Sequence, residues 1–298
     1  MRPINVGILG TGNIGTDLLL KVQKSTKLQC TLFSGRNLFS KGMEIAKKLG
    51  VTASDESVEA FFRASVPFDV IFDATSASAH SKNHDRLEKL GALLIDMTPA
   101  KIGDFCIPAL GLDYYERGQT LNMVTCGGQA SIPLIKFITD ALDIVPEYAE
   151  TISTIASLSA GPGTRNSLDE YIQATQLGIK QFTGVKEAKA LINLNPATPP
   201  ITMQTTVMIK CEIPNMTRVT KNVEKCVAIM QSYVPMYNLA VPPVYDEDRK
   251  CVIVGVKVEG NGDYLPKYAG NLDIINSAAI HVAERLAAQL KKVDNEDI

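Results

Sequence analysis

Cys126 stands in "MVTCGGQASIP", residues 123–133, between a strand-like run (Met123, Val124, Thr125) and a helix-like stretch carrying Pro133. A thiol where a helix begins meets partial positive charge and free N–H groups. These favour a thiolate, and later an oxyanion on the carbon it attacks. Gly127 and Gly128 remove side chains beside it, so that backbone or cofactor can approach closely. The pattern reads as nucleophilic chemistry. The competing reading is a small buried hydrophobe, the usual fate of a cysteine in a reducing compartment.

Gly10, Gly12 and Gly15 form a G-x-G-x-x-G in "GTGNIG", directly after the strand "INVGIL" and at the opening of a helix. That context fits a dinucleotide: a tight turn, close approach to pyrophosphate, and helix N–H groups facing the anion. The second strand ends in "SGRN" with no carboxylate for the ribose of NAD. Arg36 there can accommodate a 2′-phosphate, stack on adenine or point to solvent, which leaves NADP open beside NAD. "SAGPGTRNSLDEY", residues 159–171, is a second glycine-rich loop; Ser167 and Glu170 have capping-box spacing, and Arg165 with the helix start offers an anion or carboxamide site. In "FDATSASAH", residues 72–80, Asp73, Thr75 and Ser76 follow a strand where a doubly wound sheet lines its nicotinamide crevice. His80 and His84, one turn apart, read as solvated helix-surface residues, and His281 as structural.

These groups require elements to hold them. The N-terminal third alternates strand 4–9, helix 14–24, strand 28–33, helix 40–49, strand 68–73, helix 79–90 and strand 92–96. This βαβ series predicts a parallel sheet. Beyond residue 126 longer strands are predicted near 150–159, 189–194, 201–213, 236–244 and 250–258, with helices at 131–142, 167–182, 217–231 and 273–291. That is an α+β domain with a mainly antiparallel sheet and helices on one face. The last helix carries Ile274, Ala278, Val282, Leu286 and Leu290 at helical spacing and is expected to return to the first domain, with a frayed tail from Lys291. The expected domains are 1–128 with 270–298, for the dinucleotide, and 129–269, for catalysis and dimerisation.

A chain of 298 residues exceeds what one core usually needs. Lysine plus arginine number 30 against 32 aspartate plus glutamate, which gives no excess for nucleic acid or a membrane surface. Six cysteines without a CxxC pair and three histidines suggest neither a metal site nor a disulfide framework. Met1–Gly10 has no leader pattern, and no apolar run approaches about 18 residues, so a cytoplasmic protein is expected.

Together "GTGNIGTDL", "FDATSASAH", "DMTPA", "NMVTCGGQASIP", "SAGPGTRNSLDE", "NPATPP" and "YLPKYAGNLDI" resemble one family, from about residue 4 to 290. It is the CoA-acylating acetaldehyde dehydrogenases of aromatic meta-cleavage pathways. The resemblance implies a Rossmann domain plus an α+β domain akin to glyceraldehyde-3-phosphate dehydrogenase. It also implies oxidation of a short aldehyde, with coenzyme A and NAD, to acyl-CoA. Cys126 would form a thiohemiacetal with the aldehyde, hydride would pass to the nicotinamide, and the CoA thiol would take the acyl group from the resulting thioester. It assigns Thr11, Gly12, Asn13 and Ile14 to the pyrophosphate turn. Ser159, Ala160, Gly161, Pro162, Gly163, Thr164, Arg165, Asn166 and Ser167 fall on the nicotinamide side, and Asn271 on the cofactor. Its members work with 4-hydroxy-2-oxovalerate aldolase, and a homodimer is expected.

The chain departs from the family at three places. Where the family reads M-R-D-T, with an aspartate directed at the cysteine, this chain has Met203, Gln204, Thr205 and Thr206. The segment from Val244 to Val258 is shorter than usual, and Arg36 replaces an acidic residue. A relative turned to another acyl thioester or semialdehyde, or a dinucleotide-binding partner subunit of an aldolase, is the alternative reading.

Overall fold

The computed structural model describes residues 3–111 and 114–296, with side chains as far as Lys291. The chain divides into a unit of residues 1–123 with 276–298 and a unit of residues 124–275.

In the first unit the order is β1 (Ile4–Leu9), α1 (Asn13–Lys24), β2 (Leu28–Ser34), α2 (Lys41–Lys48), β3 (Ala53–Ser54), α3 (Glu59–Phe62), β4 (Val70–Asp73), α4 (Ala77–Glu88), β5 (Leu93–Asp96), β6 (Asp104–Phe105) and β7 (Thr120–Asn122). The seven strands form one sheet in the order β3-β2-β1-β4-β5-β7-β6, with every pair parallel. This is a doubly wound order that reverses between β1 and β4, where such sheets bind nucleotides. Strands β4 (VIFD) and β5 (LLID) are buried throughout, as a parallel sheet covered on both faces requires. Leu9, Leu32, Phe61, Phe68, Ile71 and Leu94 make one of its apolar layers. The short β3 and β6 and the four-residue α3 carried too little periodicity to be expected from the sequence.

The second unit contains α5 (Cys126–Thr139), β8 (Tyr148–Ala156), α6 (Pro162–Asn166), α7 (Leu168–Thr183), β9 (Glu187–Asn195), β10 (Met203–Lys210), α8 (Met216–Gln231), β11 (Tyr237–Asp246) and β12 (Cys251–Val258). Its five strands run β11-β12-β10-β8-β9, antiparallel except for the parallel pair β8 and β9. A parallel pair needs a crossover over a face of the sheet. Here α6 and α7 provide it. Buried residues alternate along β10, Met203, Thr205, Val207 and Ile209, which marks one covered face. Helix α5 packs on β8 and β10, α7 on β9 and α8 on β11.

The segment after Val244 that is short for the family closes as a hairpin, in which Asp246 Oδ1 accepts the Arg249 amide at 2.9 Å. Pro242 and Pro243 fall on the edge strand β11, where the ladder slips around Val241 and Val244, so a missing N–H does little harm.

Helix α9 (Gly270–Glu296) runs on through the tail expected to fray at Lys291. Its part within the first unit packs beside α1: Asn276 Nδ2 donates to Asp17 Oδ2 at 2.7 Å and Ser25 Oγ to Glu284 Oε1 at 2.6 Å. Among the described residues no helix is long and apolar enough to cross a membrane, and no group of acidic, cysteine or histidine side chains is arranged to hold a metal.

Candidate active site

The glycine-rich turn comes first in the chain. Gly10 has φ +110, and a Cβ on it would lie 2.4 Å from the Ala74 carbonyl oxygen. A Cβ on Gly15 would lie 1.8 Å from the Gly10 carbonyl oxygen, so only glycine lets α1 start this close to the strand. Around Gly12 the opposite holds: nothing stands within 4 Å of its Cβ position, and the residue is exposed. No side chain caps α1, whose first turn holds Asn13 and Ile14. Open space over Gly12 and an uncapped helix start suit an anion, which is the fit expected for pyrophosphate. Thr11 sits against Gly35 and accepts a hydrogen bond from Ser40 Oγ at 3.2 Å, which draws the end of β2 to the turn. Arg36, just beyond, is exposed.

The expectations for Asp73, His80 and His84 need correction. Asp73 does not line a crevice but is fully buried, accepting from Thr75 N at 3.0 Å and Thr75 Oγ1 at 2.6 Å. His80 is fully buried as well, with Nδ1 2.8 Å from Asp73 Oδ2 and Nε2 3.4 Å from Asp96 Oδ2. His84 is largely covered, its ring 5.5 Å from that of His80 and its Nε2 3.1 Å from Thr120 Oγ1. Both histidines had been assigned to solvent because the helix-surface pattern does not reveal that α4 turns this face onto the carboxyl ends of β4 and β5. Ser76 caps α4 by accepting from Ala79 N at 3.3 Å.

The second unit builds its site around the start of α5. The run 123–125 is not a strand: β7 ends at Asn122, and Val124 adopts φ +59, a left-handed conformation that is strained for a β-branched residue. Extended Thr125 then caps α5, accepting from Gly128 N at 2.8 Å. Helix α5 starts at Cys126 itself, not at residue 131. A Cβ on Gly128 would meet Val124 Cγ1 at 2.9 Å, and one on Gly127 would meet the Tyr171 hydroxyl at 1.9 Å. The two glycines therefore leave room for the folded turn and for a phenol.

Cys126 keeps partial exposure, yet protein crowds its sulfur. Burial pushes the thiol up to about 11, against the opposing pull of the Tyr171 hydroxyl and the Gly127 and Cys126 amides. Desolvation thus opposes the thiolate that the amides of the helix start favour.

Ser153 Oγ and Thr205 Oγ1 face each other at 2.9 Å across the β8–β10 ladder, both buried. Thr125 Oγ1 meets Thr175 Oγ1 at 2.8 Å, and Thr175 Oγ1 donates to the Tyr171 carbonyl at 2.8 Å. Sequence reading missed Tyr171 and Ser153. Spacing marks them only as inward-facing, not as neighbours of Cys126: Tyr171, Ala174, Thr175 and Gly178 share the buried face of α7, and Ser153 lies among the inward residues of β8.

The loop from Ser159 to Ser167 folds on itself. Ser159 Oγ donates to the Ala156 carbonyl at 2.8 Å, while Arg165 Nε donates to the Ala160 carbonyl at 3.0 Å and its terminal nitrogen to the Ser157 carbonyl at 2.8 Å. The expected capping box does not close, since the Ser167 side chain makes no capping bond to α7. Gly161 precedes Pro162 at the start of α6, and Gly163 has open space where a Cβ would stand. Thr164 and Asn166 belong to α6, and Ala160 is buried just before it. Asn271 is 5% exposed, and its carboxamide oxygen has no partner among the described residues.

Comparison with known proteins decides the family. An acetaldehyde dehydrogenase of Pectobacterium atrosepticum is 50% identical over 291 residues, 96% of this chain and 97% of the relative. The chain belongs to the acetaldehyde dehydrogenase family. It is an NAD(P)-dependent oxidoreductase of the aldehyde dehydrogenase type. Acetaldehyde dehydrogenases of Spirochaeta aurantia and Geobacillus thermodenitrificans are 49% and 43% identical, over 96% and 95% of this chain and 95% and 96% of theirs. Residues 5–104 match the semialdehyde dehydrogenase NAD-binding domain, and residues 126–266 the domain described as prokaryotic acetaldehyde dehydrogenase, dimerisation. A crystal structure of aspartate semialdehyde dehydrogenase with NADP from Candida albicans shares the fold, with a TM-score of 0.65 at 10% identity over 96% of this chain and 100% of that one.

Proposed function

We propose that the chain is a CoA-acylating dehydrogenase of acetaldehyde or another short aldehyde, with Cys126 as its nucleophile. The observation that carries this reading is the placement of Cys126 as the first residue of α5, after the strained Val124 and before two glycines that no side chain could replace without collision. The thiolate attacks the aldehyde carbon to give a thiohemiacetal, oxidation of which leaves an acyl thioester on Sγ. The amides of the first turn of α5 stabilise the alkoxide formed in the attack. The thiol of coenzyme A then takes the acyl group and restores Cys126. Each step is reversible, so acyl-CoA reduction is equally permitted.

The dinucleotide, when bound, supplies the hydride acceptor. We assign its pyrophosphate to Gly10, Thr11, Gly12, Asn13, Ile14 and Gly15, on the open space over Gly12 and the uncapped start of α1. Arg36 and Ser76 belong to the same site. The cofactor is NAD, and exposed Arg36, with no carboxylate beside it in "SGRN", also admits NADP. To the nicotinamide we assign the loop Ser159–Ser167 and Asn271, whose buried carboxamide oxygen waits for a donor. The match of residues 126–266 to a dimerisation domain supports a homodimer. An aldolase that hands over a short aldehyde, aromatic catabolism and a cytoplasmic location complete the reading.

The test is the initial rate of reduced-nicotinamide formation with acetaldehyde or propanal, each cofactor in turn, with and without coenzyme A. Turnover that requires coenzyme A and falls at least 1,000-fold, on the order expected for a lost nucleophile, in Cys126→Ala supports the proposal. Turnover indifferent to coenzyme A, or retained in the variant, sinks it.

A further inference from the structure

If Cys126 is the nucleophile, its thiol must be helped to ionise in surroundings that oppose charge, and the second unit holds neither of the usual helpers at that point. Residues 124–275 contain no histidine, and position 205 is a threonine. What the fold brings to the start of α5 is Tyr171, from the first turns of the crossover helix α7. The residue is 6% exposed, its hydroxyl is sealed from solvent, and that hydroxyl completes no aligned hydrogen bond with any described residue. A polar atom so buried is ordinarily satisfied, and one left open asks for an explanation.

The neighbours supply it. A Cβ built on Gly127 would lie 1.9 Å from the Tyr171 hydroxyl and 2.8 Å from Ser153 Oγ, so phenol, serine and the backbone following Cys126 share one small volume. Ser153 is in turn bonded to Thr205 at 2.9 Å. The phenol has Cys126, Ser153 and Thr125 in reach, and burial holds its own ionisation well above the ordinary value. It stays protonated, so it can donate a hydrogen bond but cannot accept the thiol's proton.

We propose that Tyr171 is a catalytic residue of this enzyme: its hydroxyl donates a hydrogen bond to the Cys126 thiolate, while Ser153 and Thr205 hold the phenol in line. The proton of the thiol leaves to solvent as the thiolate forms, at a residue that keeps partial exposure. Once sulfur bonds to carbon it loses its charge, and the phenol no longer has an anion to stabilise. Hydrogen bonding to the charged form of an acid favours that form, most strongly where water is excluded. The arrangement also explains Gly127, since any side chain there would displace the phenol.

This proposal rests on the nucleophile assigned above, and its test separates the two. In Tyr171→Phe the ring keeps its packing and only the hydroxyl is lost. Alkylation of Cys126 by iodoacetamide, followed by mass spectrometry from pH 6 to 11, reads the thiol directly, and NADH binding checks the fold. The rate profile is expected to move up by about one pH unit, making alkylation about tenfold slower at pH 8. The kcat should fall by a similar factor, with KM for the aldehyde little changed. Ser153→Ala, which keeps the phenol but frees it, should move the profile in the same direction by less. An unmoved profile in Tyr171→Phe with normal NADH binding overturns the role of Tyr171 alone. Full turnover after Cys126 is completely alkylated overturns the nucleophile itself.

Discussion

Each unit buries a polar cluster, and the two are built from different chemistry. In the first, His80 lies between the carboxylates of Asp73 and Asp96, with Asn122 Nδ2 and the Thr98 amide bonded to Asp96 at 2.7 and 2.8 Å. In the second, Tyr171 lies among Cys126, Ser153 and Thr125, and every group is neutral until the thiol ionises. The charged cluster joins the ends of β4 and β5 to α4 and leaves one imidazole nitrogen without an aligned acceptor. The neutral one surrounds an atom that must change charge during the reaction. Paired acids and an imidazole suit a joint that should not move; neutral donors suit a site where charge comes and goes during the reaction, because they stabilise the anion at little cost when it is absent.

Breaking the charged cluster should have the largest effect. His80→Ala leaves Asp73 and Asp96 buried together without the imidazole that pairs them, and removal of one partner from a buried pair costs about 3–5 kcal/mol. Urea unfolding at pH 7 should show a loss of that size. A loss below about 1 kcal/mol would mean that water already reaches Asp73 and Asp96, and that the cluster is not the sealed joint described.

The same cluster gives the first unit a pH dependence that the second should lack. Burial pushes Asp96 up to about 7, with His80 and the Thr98 bonds pulling the other way. Burial lowers the ionisation of His80, but the Asp73 bond and the charges of Asp96 and Asp73 prevail and raise it. Both groups therefore hold protons more tightly folded than unfolded. The contribution of Asp96 is complete below the ordinary carboxylate value and is lost as pH rises through about 7, while that of His80 is complete below the ordinary histidine value and is lost as pH rises through its raised one. Thermal unfolding monitored by circular dichroism should show stability falling between pH 5 and 8, and Asp96→Asn should flatten that slope. A slope unchanged in Asp96→Asn assigns the pH dependence elsewhere.

Much of this was legible beforehand, and what was not has a physical reason. The glycines at 10, 12 and 15 and the cysteine before two glycines announce themselves because their constraints are local: a turn, a helix start, a close approach. His80 was misread because its burial depends on which face of α4 meets the sheet, a tertiary fact that an i, i+4 spacing cannot carry. Tyr171 was missed for the same reason in reverse. Its partners Ser153 and Thr205 arrive from two strands whose pairing is long-range, and in sequence they look like ordinary polar residues of alternating strands. The strain at Val124 was likewise invisible, since valine is the residue least expected to adopt that backbone.

Thr205→Val sharpens the comparison at its small end. The change keeps shape and removes one neutral hydrogen bond, leaving Ser153 Oγ without its partner at 2.9 Å. The expected cost is about 1 kcal/mol in urea unfolding, several-fold below that of His80→Ala, and it should be the same at pH 5 and pH 8 because no ionising group has been touched. Its effect on catalysis should nonetheless exceed its effect on stability. If the hydroxyls of Thr205 and Ser153 orient the phenol, the variant should slow alkylation of Cys126 in the same direction as Tyr171→Phe. Combined with Tyr171→Phe it should add little, since a bond that aims the phenol has nothing left to aim. Additive losses in the double variant would instead show two independent contributions, and would reduce the Ser153–Thr205 pair to a cross-strand bond that happens to lie near the site.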